Sequence, residues 1–279
     1  MYNLRMTKGM QKFPGFDEQF EELDQFIIEL VQQHHAGKIK SWDDLADRVH
    51  SFFTDQRMNE MESRVPHWCK MAAYADGLTL VHVMCVFMGL YSMPEFLSLT
   101  HQQQQLMKWV ILFHDVEKEP RKGKRDHGHA FRSTVGAART LPKLRFPVTQ
   151  EYESIIDEWD EFTRAALTVR EDTEEVIQDN QKLPNILNGI ERMFGHDTPA
   201  TLILKTILFH LSVDMNFWPP PSPLTKTEVK MYIDTGLLPL LRVMNLGDND
   251  GWNLFQPDLR EQGRVDTLQV FEQIEKLIS

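Results

Sequence analysis

Apolar residues recur at steps of three and four positions through most of this chain, and this spacing predicts helices rather than strands. The stripe from Phe16 to Val31 is typical of an amphipathic helix. Ser41, followed three residues later by Asp44, predicts the start of a second helix that runs to Phe53. Because strand-like alternation is almost absent, we expect an all-α protein.

The other predicted helices are separated by stretches rich in proline, glycine or charge. They span about 71–90, 102–115, 129–140, 198–214, 227–246 and 267–278. Thr198 and Pro199 supply an N-cap and a first-turn proline. Residues 116–128 are predicted to form a loop, and the prolines of 218–223 predict a stiff extended connection.

The composition narrows the class of protein. A hydrophobic content of 42% and a charged content of 25% are typical of a globular protein, and the net charge of -11 argues against a broad nucleic-acid-binding surface. Cys69 and Cys85 are the only cysteines, so we expect neither a disulfide framework nor a thiolate zinc site. The first residues lack a secretion signal, and the longest apolar stretch, 78–90, is too short to span a bilayer. These features predict a soluble, cytoplasmic protein.

Six side chains that bind metal ions well lie in or beside separate apolar helices. They are His82, His114, Asp115, His129, His210 and Asp248. A carboxylate directly after the apolar segment 109–113 loses hydration unless it is paired or bound to a cation. Imidazole nitrogen and carboxylate oxygen together suit Mn, Fe, Zn or Mg better than a thiolate site would. The sequence therefore predicts a buried divalent metal site.

Other histidines and acids compete for these roles. His196 and Asp197 form a second His-Asp pair, but the Thr198-Pro199 that follows indicates helix-start chemistry. His127 competes with His129, which the preceding Gly128 favours. Asp214 lies one turn after His210, and we expect it to face solvent or to support the site rather than to bind the ion.

A group of cations follows the His-Asp pair. Its members are Lys118, Arg121, Lys122, Lys124 and Arg125. In a chain of net charge -11, they would concentrate an anionic substrate at the metal. We expect Lys118, Arg121 and Lys122 to contact that substrate.

The acidic stretch from Glu151 to Asp179 holds eleven acidic and two basic residues. We expect a solvated helical insertion at about 150–197 rather than a binding surface.

The chain resembles the HD-domain metal-dependent phosphohydrolases in the order of its residues. The pattern of that family is a histidine, a later His-Asp-x-x-Lys and a distant aspartate, and its first two parts match His82 and His114-Asp115 with Lys118. The chain is similar in particular to the HD region of the transfer-RNA nucleotidyltransferases, without their catalytic head. The similar segments are Gly128-His129, Leu144-Arg145-Phe146-Pro147, Ile207-Leu208-Phe209-His210 and 240–248. Ala130 and Gly247 stand where that family has Glu and Ala.

The resemblance covers about residues 66–252 and implies an HD-domain helical bundle. We expect N-terminal helices at 1–65 packed on the core, an HD domain at 66–255 that contains the insertion, and a C-terminal helix at 256–279, all in one compact unit. The resemblance also implies one or two divalent ions (Mn, Fe, Mg, Zn, Co or Ni). Their primary site would be formed by His82, His114, Asp115 and Asp248.

His129 and His210 would complete a second metal position, and Asp115 would bridge the two ions. The implied activity is hydrolysis of a phosphomonoester or phosphodiester, such as a nucleotide, with Asp115 and Lys118 as catalytic residues. Two alternatives remain open. Some HD-type proteins hold two irons with the same ligand order and oxidise a substrate with dioxygen, and a non-catalytic ligand-binding protein would keep the site without turnover.

Overall fold

The structure, a computed structural model, describes residues 12–119, 126–171, 174–213, 220 and 222–279. The protein is all-α, with 71% of its residues in helices, and the described residues contain one sheet of two short strands. No helix among these residues is both long and apolar enough to cross a membrane.

The α-helices are α1 Phe16–Gln19, α2 Glu21–His35, α3 Trp42–Phe52, α4 Asp55–Arg64, α5 Trp68–Ala73, α6 Leu78–Tyr91, α7 Pro94–Leu97, α8 His101–Phe113, α9 His129–Thr140, α10 Tyr152–Arg164, α11 Leu183–Phe194, α12 Pro199–Phe209, α13 Lys226–Tyr232, α14 Leu238–Trp252 and α15 Pro257–Ile278. Short 3₁₀ helices span Tyr74–Gly77, Leu141–Leu144 and Asn180–Lys182. The strands β1 Leu167–Val169 and β2 Val176–Gln178 are antiparallel, with Thr168 opposite Ile177.

Local capping explains the helix starts that were predicted. The Ser41 hydroxyl accepts a hydrogen bond from the Asp44 backbone N–H at 3.1 Å, which confirms the start of α3. The Thr198 hydroxyl does the same for the Thr201 N–H at 3.2 Å, at the start of α12. Helix α9 has the predicted bounds.

Several other predicted bounds were wrong. The helix predicted at 71–90 is divided into α5, a 3₁₀ turn and α6, because Gly77 adopts a φ of 89° that ends one helix and starts the next. The helix predicted at 227–246 is two helices, and Pro239 in the first turn of α14 marks the second start. Helix α12 ends at Phe209 rather than at 214, and α15 begins at Pro257 rather than at 267.

The predicted helical insertion is only partly helical. Helix α10 buries Tyr152, Ile156 and Trp159 and exposes most of its acidic residues. It packs against α11, where the Trp159 indole donates a hydrogen bond to the Ile186 carbonyl at 2.9 Å. The hairpin β1–β2 follows α10, so the segment is a helix, a hairpin and a second helix.

The apolar core surrounds α6, whose residues from Thr79 to Leu90 are all buried. Full burial of one side chain such as Phe87 contributes about 1.5–3 kcal/mol to stability. Helix α6 packs on α8 and α14, α12 packs on α8, α9 and α14, and α8 also contacts α9. These five helices bring the six candidate metal ligands to one place.

Candidate metal centre

The six predicted ligands converge where these five helices meet. His82 lies inside α6, His114 and Asp115 follow α8, His129 begins α9, His210 follows α12, and Asp248 lies one turn before the end of α14. They form two groups of three, and within each group the ligand atoms lie within 4.8 Å of one another. The first triad is His82, His114 and Asp248, and the second triad is Asp115, His129 and His210.

Asp115 connects the two triads through its two carboxylate oxygens. Oδ1 lies 2.9 Å from His129 Nε2 in the second triad. Oδ2 lies 3.7 Å from His114 Nε2 and 3.9 Å from His82 Nε2 in the first triad. This geometry is suited to a carboxylate that bridges two ions.

Three of the histidines have the same backbone anchor. In each, ring nitrogen Nδ1 lies within hydrogen-bond distance of the carbonyl oxygen three residues earlier, so Nδ1 carries a proton and Nε2 is the nitrogen left to bind a metal. The pairs are His114 with Ile111 (2.8 Å), His129 with Asp126, and His210 with Ile207 (2.6 Å). The backbone therefore fixes both the tautomer and the direction of three ligand atoms.

Two observations show that these residues fit a cation. His114 Nε2 is buried without a hydrogen-bond partner, which is costly for a polar atom. His129 Nε2 and His210 Nε2 are only 3.2 Å apart, so the ring nitrogens that the backbone leaves available on two separate helices meet at one position. A metal ion at that position would accept a lone pair from each ring. Four imidazole nitrogens and two carboxylates can hold a divalent ion, and such nitrogen-rich sets suit transition metals better than Mg²⁺.

Electrostatics keep the ligands in the forms that bind metal. Burial raises the pKa of Asp115, but the nearby Lys118 and the adjoining histidines outweigh it and hold that pKa well below its usual range. Burial likewise opposes ionisation of Asp248, but the hydrogen bond and the charge of His82 lower its pKa. Burial, reinforced by the neighbouring His129 and His114, lowers the pKa of His210 to about 3. Both carboxylates are therefore ionised, and His210 is neutral near pH 7.

Lys118 brings a positive charge to the same place. Its ammonium lies 2.7 Å from Asp115 Oδ2, and its side chain is 14% exposed. Burial lowers the pKa of this lysine, but attraction by Asp115 outweighs the effect and raises the pKa above its usual value. Lys118 therefore remains charged at the edge of the metal-ligand cluster.

A cleft of about 340 Å³ opens onto this cluster. Its walls are Tyr74, Ala75, Asp115, Lys118, Asp126, His127, His129, Leu211, Asp248 and Trp252. The volume is within the range of small-molecule sites, roughly 300–1,000 Å³. A small ligand in the cleft would meet ligand atoms of both triads and the Lys118 ammonium.

Trp252 was not predicted to belong to the site. Its ring lies flat against His82, and Lys118 Nζ lies 5.6 Å from the centre of the same ring. The sequence did hold a signal, because Trp252 follows Asp248 by four positions and such residues share one face of a helix.

None of the alternative ligands that the structure describes belongs to either triad. His196 and Asp197 have side chains that are 70% and 57% exposed, in the turn before α12, and neither triad includes them. His127 lines the cleft but belongs to neither triad. Arg121, Lys122, Lys124, Arg125 and Asp214 lie outside the described residues.

Comparisons of the chain with models of known protein families, with curated proteins and with solved structures found no match.

Proposed function

We propose that the protein is a metal-dependent phosphohydrolase that cleaves a phosphomonoester or phosphodiester, with nucleotides among the candidate substrates. The observation that carries this proposal is the position of Lys118. A charged ammonium beside Asp115, at the wall of a small cleft that reaches both triads, suits an anionic group placed next to the ions. A phosphate group has the required charge and several oxygens to share between the ions and the lysine.

Each element of the site has a distinct part in this proposal. The two triads hold one or two divalent ions, which act as Lewis acids and lower the pKa of water. Asp115 joins the two triads and orients Lys118 through their ion pair. Lys118 neutralises the charge that develops on the phosphate oxygens. Its ammonium is effective in this because it is already oriented by Asp115 in a poorly hydrated site.

The metal is proposed to be Mn, Fe, Zn, Co or Ni in preference to Mg, since four of the six donors are imidazole nitrogens. The proposed compartment is the cytoplasm, because both cysteines are free, and Cys85 is buried.

A di-iron oxygenase would use the same six ligands, and the ligand set alone does not separate it from a hydrolase. The two differ in what they consume. A hydrolase releases phosphate or a phosphate ester without dioxygen, whereas the oxygenase requires iron and dioxygen.

The test begins with elemental analysis of protein that is purified without chelators. Release of product is then measured from a panel of phosphomonoesters and phosphodiesters, in air and under anaerobic conditions, with chelator-treated protein as the control. We expect turnover of at least one ester that persists without oxygen and stops after chelation. Metal-loaded protein that cleaves no ester but consumes oxygen would overturn the proposal.

A further inference from the structure

The acidic insertion at 150–197 contacts a residue one or two positions from each of the three ligands of the second triad. Its contacts fall on Glu117, two residues after Asp115; on Gly128, one residue before His129; and on Ser212, two residues after His210. A segment predicted to be solvated thus lies against the metal-ligand cluster at three separate points.

The first contact is an ion pair at the end of α10. Arg164 donates hydrogen bonds to both carboxylate oxygens of Glu117, at 3.1 and 3.3 Å. The Glu117 side chain is only 6% exposed, so loss of Arg164 would leave a poorly hydrated carboxylate without its main counter-charge. The Glu117 backbone N–H also donates to the Ser133 hydroxyl on α9 at 3.1 Å. Arg164 therefore stabilises the backbone that follows Asp115.

The second contact is close apolar packing by the hairpin. A Cβ atom on Gly128 would lie 2.8 Å from Val176 Cγ1 and 3.2 Å from Leu167 Cδ1. The two strands thus pack directly on the glycine backbone, and only a residue without a side chain fits there. This contact fixes the start of α9 and hence His129.

The third contact is made by the last residue of β2. The Gln178 amide nitrogen lies 3.2 Å from the Ser212 hydroxyl, and it also donates to the Ser222 carbonyl at 3.0 Å. In turn, the Ser212 carbonyl accepts a hydrogen bond from the Leu224 N–H at 2.9 Å. Gln178 therefore joins the segment after His210 to the chain that returns at 222–224.

The first triad is supported by other elements. His82 is stacked on Trp252 from α14. Asp250, two residues after Asp248, is paired with Arg260 at 2.7 Å and Arg264 at 3.0 Å, both from α15. The two triads are thus supported by different parts of the chain.

We infer that the insertion supports one metal position: Arg164 and Gln178 are positioning residues that set the affinity of the second triad. They affect the first triad much less, because Asp115 is the only ligand through which polar contacts connect the two triads. This inference rests on the form of the proposed function in which each triad holds one ion, but not on the reaction that follows. Residues that orient metal ligands typically change metal affinity by about 10–100-fold when they are replaced.

The test is calorimetric titration of metal-depleted protein with Mn²⁺, using Arg164→Met, Gln178→Ala and, as a matched control, Arg192→Met. Arg192 is in the same insertion but pairs with Glu151 at 2.6 Å on an exposed surface. We expect two ions per chain in the wild type and the control. In the other two variants, one ion should weaken at least about 10-fold while the other changes less than about 2-fold.

Double variants show which of the two triads holds the weakened ion. Arg164→Met should not alter the ion that remains in His210→Ala, whereas it should remove tight binding from Asp248→Ala. Arg164→Lys, which keeps the charge, should recover part of the lost affinity. Equal weakening of both ions, or no weakening, would overturn the inference.

A failure of the proposed function would give results that differ from a failure of this inference. Wild type that binds only one Mn²⁺ ion would overturn this inference, and wild type that binds none would overturn the metal centre as well. Two bound ions without release of phosphate would overturn the hydrolase alone.

Discussion

Trp252 lies flat against His82, with ring centres 4.0 Å apart and planes inclined by 16°. His82 differs from the other three histidines of the site, because its Nδ1 is buried without a hydrogen-bond partner. Its Nε2 lies 2.9 Å from Asp248 Oδ1. The stacking on Trp252, together with the contact to Asp248, therefore takes the place of the backbone anchor that orients the other three rings.

Removal of this stacking should weaken the first triad. We expect Trp252→Ala to reduce the affinity of one ion by about 10-fold, since the His82 ring would lose what orients it. Trp252→Phe should retain most of the affinity because a flat ring remains. Competition with a chromophoric chelator measures both variants. Equal affinity of Trp252→Ala and wild type would show that the stacking does not orient His82.

Asp115→Asn should remove at least one ion and abolish turnover, because Asp115 is the carboxylate that reaches both triads. Asparagine keeps the size of the side chain and removes its charge, so the comparison isolates electrostatics. Elemental analysis after dialysis gives the metal content. Full retention of two ions in this variant would contradict the bridging position.

Lys118→Met should spare metal binding and slow the cleavage of phosphate esters. Loss of one preoriented charge contact is worth about 2–4 kcal/mol of transition-state stabilisation. Steady-state kinetics on the best ester of the panel, with metal content measured in parallel, test this. A variant that keeps full turnover would leave Lys118 without a catalytic role.

The second His-Asp pair should be dispensable. Asp197→Asn should leave metal content and turnover unchanged, and its stability should hardly change, since asparagine tolerates the φ of 53° at this position. Thr198→Ala serves as the contrast: it removes the cap of α12 and should cost about 1 kcal/mol. Urea unfolding measures both. Loss of metal from Asp197→Asn would mean that the ion lies elsewhere.

Acid should destabilise the metal-free protein well above the pH at which carboxylates titrate. Burial, with the nearby His129 and His114, lowers the pKa of His210 to about 3, whereas an unfolded histidine titrates near about 6.5. Between these values the unfolded chain binds a proton that the folded chain does not, so stability falls as pH falls. The slope is about 1.4 kcal/mol per pH unit for this one group.

Urea unfolding in the presence of a chelator at pH 7.5, 6.5 and 5.5 tests this, and stability should fall much less between the first two values than between the last two, because only the last two lie within the window. Burial also lowers the pKa of His114, which adds to the effect in the same direction. The lowered pKa values of Asp115 and Asp248 contribute only at lower pH, below the unfolded carboxylate value of about 4. His210→Gln should show a shallower slope, and an unchanged slope would contradict the assignment.

Short-range signals in the sequence were sufficient for the all-α class and for several helix starts. Ser41 and Thr198 act on N–H groups three residues away, so neighbouring residues alone predict their helices. The six candidate ligands could be predicted because polar groups in apolar helices are costly without a partner. The hairpin escaped prediction because its strands have three residues each, too few for a periodic pattern.

Only the tertiary structure decided how those six residues combine. His82 and Asp248 are 166 positions apart, and no local pattern shows that their side chains lie 2.9 Å from each other. The same holds for the two oxygens of Asp115, which are shared between the triads, and for the hairpin that packs on Gly128. Local hydrogen bonds and periodicity act over a few residues and therefore determine helices, whereas the packing of distant helices determines which ligands meet.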